Sequence, residues 1–536
     1  MAVLYYNGSV YTGDGFCQGF AVDNGIFTVS GDNSFIRSLW KNGDQLIDLQ
    51  GRFVCAGFND SHMHLLSYGQ FLTQAQLQDH TDSLKGMLEY VRQWMNEGNY
   101  NDQNWLKGRG WNQDYFTDCS RMPTRDDLDA ISKDVPIVLA RACGHCCVVN
   151  SRVLELCGIN DDTPDIEGGE IGRESGKLNG LFFDNAISLI QSPVPTVEAL
   201  KEMIEKGARK LNSFGITSCQ SDDYSLFREI SPEIINEAYR ELISSDHLTV
   251  KVYEQANITE IDQLQKFIGE GNVTGVGTDM FRIGPLKLLG DGSLGGRTAH
   301  LSIPYADDPG TCGFSLFTPE HLAEMIDLAN RNGMQVAVHA IGDRCLDEVL
   351  DAIDQALKNC PRKDHRHGIV HCQISRGDQL QRMADMKLHI YAQSVFLDYD
   401  NHIVEQRVGK EMADTSYSWK TLMQKGLSVS NGSDAPVEIP DALKGIECAV
   451  TRTSLDGTGP YLPEQAFTVR EAIDSFTIQS AVASFEENNK GRIRYGYTAD
   501  FVILNESPFE VERTHIHEIK VCSTWLKGME VYRTTA

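Results

Sequence analysis

No run of residues in this chain is apolar for long enough to cross a membrane as a helix, which excludes a helical integral membrane protein. Also missing is a basic segment followed by an apolar helix of secretory length. Met1-Ala2-Val3-Leu4-Tyr5-Tyr6-Asn7-Gly8 reads as a strand running into a turn, so a cytoplasmic location is expected. The 14 cysteines lack the spacing of a disulfide framework, and Cys55, Cys219, Cys372 and Cys448 sit in apolar runs, as reduced buried thiols do. Positive charge is scarce: 48 Lys and Arg against 75 Asp and Glu leave a net charge of -27, which argues against nucleic acid or an anionic membrane as partner. Low-complexity tracts and heptad arrays are absent as well, which removes the scaffold class. What remains has the balance of an ordinary soluble enzyme or binding protein, with 23% charged and 41% hydrophobic residues. At 536 residues it is long enough for two or three domains.

Both ends read as short strands separated by turns: Val3 to Tyr6, Ser9 to Thr12, Gly19 to Val22 and Ile26 to Ser30, then Asp500 to Leu504, Lys520 to Leu526 and Glu530 to Tyr532. Neither group suffices for a stable sheet, so residues 1–52 and 486–536 are expected to form one small β-sandwich. Between them, apolar strand-like runs alternate with helical patterns, as in parallel βαβ units. Eight strand candidates occur: Phe53 to Phe58, Ile216 to Gln220, Thr249 to Tyr253, Phe281 to Leu289, Gln335 to Val338, Gly368 to Val370, His389 to Ala392 and Leu427 to Ser430. Eight is the number of an α/β TIM (β/α)8 barrel, expected over residues 53–65 and 193–485. The helix before the fifth strand is well marked, with Thr318 as N-cap, Pro319 at the first position and Gly333 as the stop. Residues 66–192 exceed any barrel loop and contain helical and strand patterns, so an α/β insertion after the first strand, packed over the barrel mouth, is expected.

The chemistry lies at the C-terminal ends of these strands. His62 and His64 are one residue apart after Phe53-Val54-Cys55-Ala56-Gly57-Phe58, a spacing that sends both imidazoles to one face. Strand four carries Lys287, strand five ends in His339, strand six in His371, and strand eight in Asp434 of Asn431-Gly432-Ser433-Asp434-Ala435-Pro436. A solitary strand-end histidine is ordinarily a core or surface group. Four imidazoles, an amine and a carboxylate from five strand ends are instead a donor set for a divalent metal, zinc by ligand type, as one or two ions. A free ammonium does not belong between two cations, whereas a Lys287 carbamate can bridge them. Cys143-Gly144-His145-Cys146-Cys147 has zinc-ligand types but no second pair at suitable spacing, so packed thiols or a pocket-facing His145 are preferred. Asp291 to Thr298 is Gly-rich yet lacks the ending of a phosphate loop; it reads as an active-site loop in which Arg297 meets an anionic group.

Together Gly57-Phe58-Asn59-Asp60-Ser61-His62-Met63-His64, Gly110-Trp111, Pro123-Thr124-Arg125, Gly144-His145, Asn150-Ser151, Asp291-Gly292-Ser293-Leu294-Gly295, Val338 to Arg344, Gly432 to Pro436 and Ala499-Asp500 resemble the amidohydrolase superfamily. Within it the match is to the YtcJ-like metal-dependent hydrolases, which include N-substituted formamide deformylase, and it runs almost end to end. The resemblance implies a TIM barrel holding one or two metals, usually zinc, with His62, His64, Lys287, His339, His371 and Asp434 as ligands. It further implies metal-activated hydroxide cleaving an amide-type, non-peptide C–N bond of a small molecule, with Asp434 as general base and acid. Two departures stand out: Ala56 where Pro is frequent, and Val370 where an acidic residue often precedes the ligand. Trp111, His145 and Arg297 are the expected substrate-binding residues, and a homodimer is compatible with this reading. The alternatives are phosphoester or lactone hydrolysis in the same site, a catalytically silent sensor or regulator, and a metal-free barrel isomerase.

Overall fold

In the computed structural model, residues 2–98, 100, 105–143, 145–227 and 229–534 are described. The chain divides into two compact units, Met1–Ser67 with Ala208–Arg228 and Tyr239–Ala536, and Tyr68–Gly207 with Glu229–Ala238.

The first unit contains an eight-stranded parallel sheet in sequence order: Phe58–Met63, Ile216–Ser221, Lys251–Asn257, Phe281–Leu289, Val336–Ala340, Gly368–His371, His389–Ala392 and Val429–Asn431. Each strand pairs with its successor. The seam between the last and the first is drawn together beyond the strand ends, where the Asp434 amide donates to the His62 carbonyl and the His64 amide to the Ala435 carbonyl, both at 2.8 Å. Helices follow the strands, as a parallel sheet buried on both faces demands. Pro319–Arg331 shows the local cause: the Thr318 hydroxyl accepts from the His321 amide, Pro319 opens the helix, and Leu322, Met325, Ile326 and Ala329 are buried on one stripe.

The same unit carries two sheets drawn from both ends of the chain. One has four strands, Ile26–Gly31, Gly19–Asp23, Val3–Tyr6 and Gln45–Asp48; the other has six, Met529–Arg533, Val521–Leu526, Phe501–Leu504, Phe53–Ala56, Ser9–Tyr11 and Phe16–Cys17. Tyr5, Phe20 and Phe27 from the first pack with Val10, Val54, Phe501 and Ile503 from the second in one apolar core.

The expected first barrel strand, Phe53 to Phe58, needs correction. Phe53–Ala56 belongs to the six-stranded sheet, antiparallel to Phe501–Leu504, and the barrel strand begins at Phe58. Gly57 is the divide: its amide donates to the Asp500 carbonyl, while the Phe58 amide donates to Gly215 in the barrel, each at 3.0 Å. Both sheets bury both faces of the segment, so hydrophobicity runs on without a break across the boundary.

The second unit has a six-stranded mixed sheet in the order Gly169–Glu174, Lys177–Asp184, Cys146–Val149, Ile137–Arg141, Leu106–Trp111 and Ala75–Gln76. Helix Leu84–Asn96 turns Leu84, Met87 and Val91 into its core beside Trp111, Leu128 and Leu139. Among the described residues no helix is long and apolar enough to cross a membrane, and all 14 cysteines are free.

A β-carbon on Gly57 would come within 2.3 Å of the Thr217 hydroxyl oxygen and 2.4 Å of its methyl group. Gly57→Ala is therefore expected to cost about 1–3 kcal/mol, the scale of core overpacking. The check is a lower urea midpoint at unchanged slope.

Candidate metal centre

His62 is the fifth residue of the first barrel strand and is 1% exposed; His64 follows just beyond the strand end. Their Nε2 atoms converge on one carboxylate oxygen, Asp434 Oδ1, at 3.3 Å from His62 and 3.1 Å from His64. The three donor atoms lie within 4.8 Å of one another. Among the described residues this is the one group of three or more His, Cys, Asp or Glu side chains close enough to share a metal ion.

Asp60 holds the two sides of this site together. Its buried carboxylate accepts from the Ser433 hydroxyl at 2.5 Å, from the Ser433 amide at 3.0 Å and from the His62 amide at 3.2 Å. Burial pushes the Asp60 carboxyl up to about 7, against these hydrogen bonds. Gly432 permits the close approach, since a β-carbon there would lie 2.5 Å from the His62 amide nitrogen. Asp434 itself takes left-handed backbone at φ 59°, as His371 does at φ 73°, a conformation costing about 1–3 kcal/mol for such residues.

The remaining expected ligands stand on neighbouring strands. His371 closes strand six, buried, with its ring edge-on to His339 (centroids 4.3 Å apart) and to His62 (5.7 Å). Phe396 stacks on its other side at 5.8 Å. Lys287 lies inside strand four, 1% exposed, and its Nζ makes no hydrogen bond or ion pair with the described residues. Burial pushes the Lys287 amine down, against the pull of Asp222 and Asp434.

Every imidazole is turned by an acceptor on one nitrogen. His62 Nδ1 meets Gln255 Oε1 at 2.7 Å, His64 Nδ1 the Asp222 carbonyl at 3.0 Å, and His371 Nδ1 Gln393 Oε1 at 2.8 Å. His339 uses the other nitrogen: its Nε2 lies 3.1 Å from the Gly292 carbonyl and 3.2 Å from Asp291 Oδ1. A neutral imidazole that donates from one nitrogen keeps a lone pair on the other. Nε2 of His62, His64 and His371, and Nδ1 of His339, are thereby left as donors to a metal. Burial keeps His62 and His371 below their usual values, hence neutral. Burial opposes charge on His64 too, but Asp434 and Asp222 outweigh it and raise this group to about 9. Burial would raise Asp434, yet the facing His62 and His64 rings hold it well below the usual carboxylate range; the Nε2 proton that charged His64 gives it must leave as a metal binds. A buried carboxylate facing imidazole nitrogens is the donor chemistry of zinc and similar ions, so the residues fit a divalent metal.

The amidohydrolase family pattern matches residues 45–532. The chain belongs to the amidohydrolase family. This amidohydrolase is 33% identical over 99% of both chains to YtcJ of Bacillus subtilis (strain 168), a protein whose name places it among amidohydrolases. It is 24% identical to the N-substituted formamide deformylase of Arthrobacter pascens, over 97% of this chain and 95% of that one. A structure from Pyrococcus furiosus, described as an uncharacterized metal-dependent hydrolase, superposes with a TM-score of 0.78 at 29% identity, covering 95% of this chain and 100% of that one.

The three expected substrate-binding residues fare differently in this amidohydrolase. Trp111 is a correction: it is fully buried in the core of the second unit, with its indole donating to the Leu139 carbonyl at 2.9 Å, so it fills space rather than facing a ligand. Arg297 is part-buried, with Asp307 accepting from its Nε and Nη2 at 3.1 and 2.9 Å and also from Arg407. His145 is exposed and pairs with Asp184 at 3.0 Å; Gly144 beside it lies outside the described residues. Residues passed over in the sequence are Asp60, Asp222, Gln255, Asp291 and Gln393. Asp222 directly follows strand two, as His64 follows strand one, and is legible on the same rule; Gln255 lies inside strand three and Gln393 just after strand seven, uncharged groups that the rule does not single out. Asp291 accepts from the amides of His300, Ile341 and Gly342 at 2.8–3.0 Å, tying the loop after strand four to the one after strand five.

Gly432→Ala is expected to reduce retained zinc or cobalt by roughly tenfold or more, the scale on which disturbed supports of metal ligands act. Metal per chain after exhaustive dialysis reads it.

Proposed function

We propose that this amidohydrolase is a metal-dependent hydrolase that cleaves a non-peptide carbon–nitrogen bond of a small molecule. The observation that carries the reading is the convergence of His62 Nε2, His64 Nε2 and Asp434 Oδ1. The Pyrococcus structure's description and the deformylase relative are in keeping with it. His62, His64 and Asp434 would hold a divalent ion, zinc by donor type, with His339, His371 and Lys287 completing the set. When bound, such an ion supplies Lewis acidity, activating water and polarising a carbonyl. Lys287 enters as the carbamate formed when its neutral amine adds carbon dioxide and loses a proton. Its burial and lowered basicity favour that reaction.

Asp434 supplies the proton chemistry. Its Oδ1 faces both imidazoles, whereas its Oδ2 makes no hydrogen bond with the described residues. Held ionised, Asp434 takes a proton from the attacking water as oxygen adds to the carbonyl carbon. It returns that proton to the leaving nitrogen as the C–N bond breaks, yielding a carboxylic acid and an amine.

Turnover of N-substituted amides with added zinc or cobalt, set beside phosphoester and lactone panels, tests the reaction class; hydrolysis confined to the latter panels contradicts it. Asp434→Asn is expected to retain metal and lose about 10²–10⁴-fold in kcat, the range for general acid–base catalysis. Undiminished turnover removes Asp434 from the proton transfers.

A further inference from the structure

We infer that Gln255 and Gln393 are a matched pair of neutral clamps that fix the tautomers of His62 and His371 and so direct their Nε2 atoms to the metal. The inference rests on the metal centre proposed above and assigns a role to two residues outside the ligand set.

The amide orientations are determined by their far sides. Gln255 Nε2 donates to the Ser61 carbonyl at 3.1 Å, and Gln393 Nε2 to the Tyr391 carbonyl at 3.0 Å. A carbonyl only accepts, so each amide must turn its NH2 that way and its oxygen toward the histidine. That oxygen in turn only accepts, and Nδ1 of His62, at 2.7 Å, and of His371, at 2.8 Å, must carry the hydrogen. Gln255, Gln393, His62 and His371 are all at most 1% exposed, so water cannot stand in for the amide. Gln255 lies in strand three and Gln393 just beyond strand seven, yet they make the same pair of bonds.

Their neutrality has a physical reason. Metal-bound histidines commonly give their second N–H to a carboxylate, a backbone carbonyl or water. A carboxylate at position 255 or 393 would add an anion to a closed region that already contains the ionised Asp434, at the desolvation cost of a buried charge. An amide orients the ring without that charge and without making the imidazole more basic. His64 and His339, with side chains 24% and 12% exposed, are turned by the backbone carbonyls of Asp222 and Gly292 instead, the latter together with Asp291.

The test uses cobalt(II) titrated by chelator competition into metal-stripped full-length protein: wild type, Gln255→Met, Gln255→Glu, Gln393→Met and Gln393→Glu. Methionine keeps the length and removes the acceptor; glutamate keeps the acceptor and removes the donor to the backbone carbonyl. The expected result is about 10–100-fold weaker binding in the methionine variants, the scale for supports of metal ligands. The glutamate variants should bind at least as tightly as wild type. Methionine variants that bind like wild type overturn the inference. So do methionine and glutamate variants weakened alike, since the amides then serve only packing. A wild type that binds no cobalt defeats the metal centre itself, an outcome separate from both. Long-range ¹⁵N–¹H spectra of histidine-labelled wild type need no substitution at the clamps: Nδ1-protonated His62 and His371 agree with the inference, and Nε2-protonated rings refute it.

Discussion

The structure depends on how the ends of the first and eighth barrel strands are joined. Two backbone hydrogen bonds of 2.8 Å and the buried Asp60 carboxylate connect the His62–His64 segment to the Ser433–Ala435 loop. These bonds close the barrel and, in the same few residues, bring two imidazoles and a carboxylate to one point. Closure and site assembly are therefore one event: a chain that fails to join its seam has neither a closed sheet nor a place for a metal. Glycine at 432 is required because the strands approach too closely there for a β-carbon.

Charge in this buried region is held to a narrow set. Asp434 stays ionised because two imidazoles face it, while burial favours the neutral forms of Asp60, His62, His371 and Lys287. Glutamine amides and backbone carbonyls orient most of the imidazoles without further anions. Once His64 has given up its proton, a dication held there would have one firmly ionised carboxylate and neutral imidazoles around it, which would leave its Lewis acidity strong.

Much of the barrel is legible in the amino-acid order because parallel strands buried on both faces appear as apolar runs between helical patterns. Strands four, six and seven lie where those runs predict, and the helix at Pro319–Arg331 starts and stops on its cap residues. The first strand is misplaced because Phe53–Ala56 and Phe58–Met63 are equally buried in two different sheets, and nothing in residue type separates them except Gly57. His62, His64 and Asp434 stand out as charged or imidazole groups closing strands. The glutamines that orient two of the histidines do not, since an amide carries no charge and its role emerges only when two distant carbonyls fix which way it turns. Trp111 misleads for a related reason: a large aromatic beside a glycine suits a pocket wall and a packed core equally, and only burial separates the two.

The central claim is that residues 62, 64 and 434 share one divalent ion, and anomalous diffraction at the zinc absorption edge from crystals grown with zinc tests it most directly. The account predicts a peak about 2.0–2.2 Å from His62 Nε2, His64 Nε2 and an Asp434 carboxylate oxygen, the zinc distances to imidazole and carboxylate. A zinc-replete crystal with no peak among these three atoms, or with its peak elsewhere in the molecule, contradicts it.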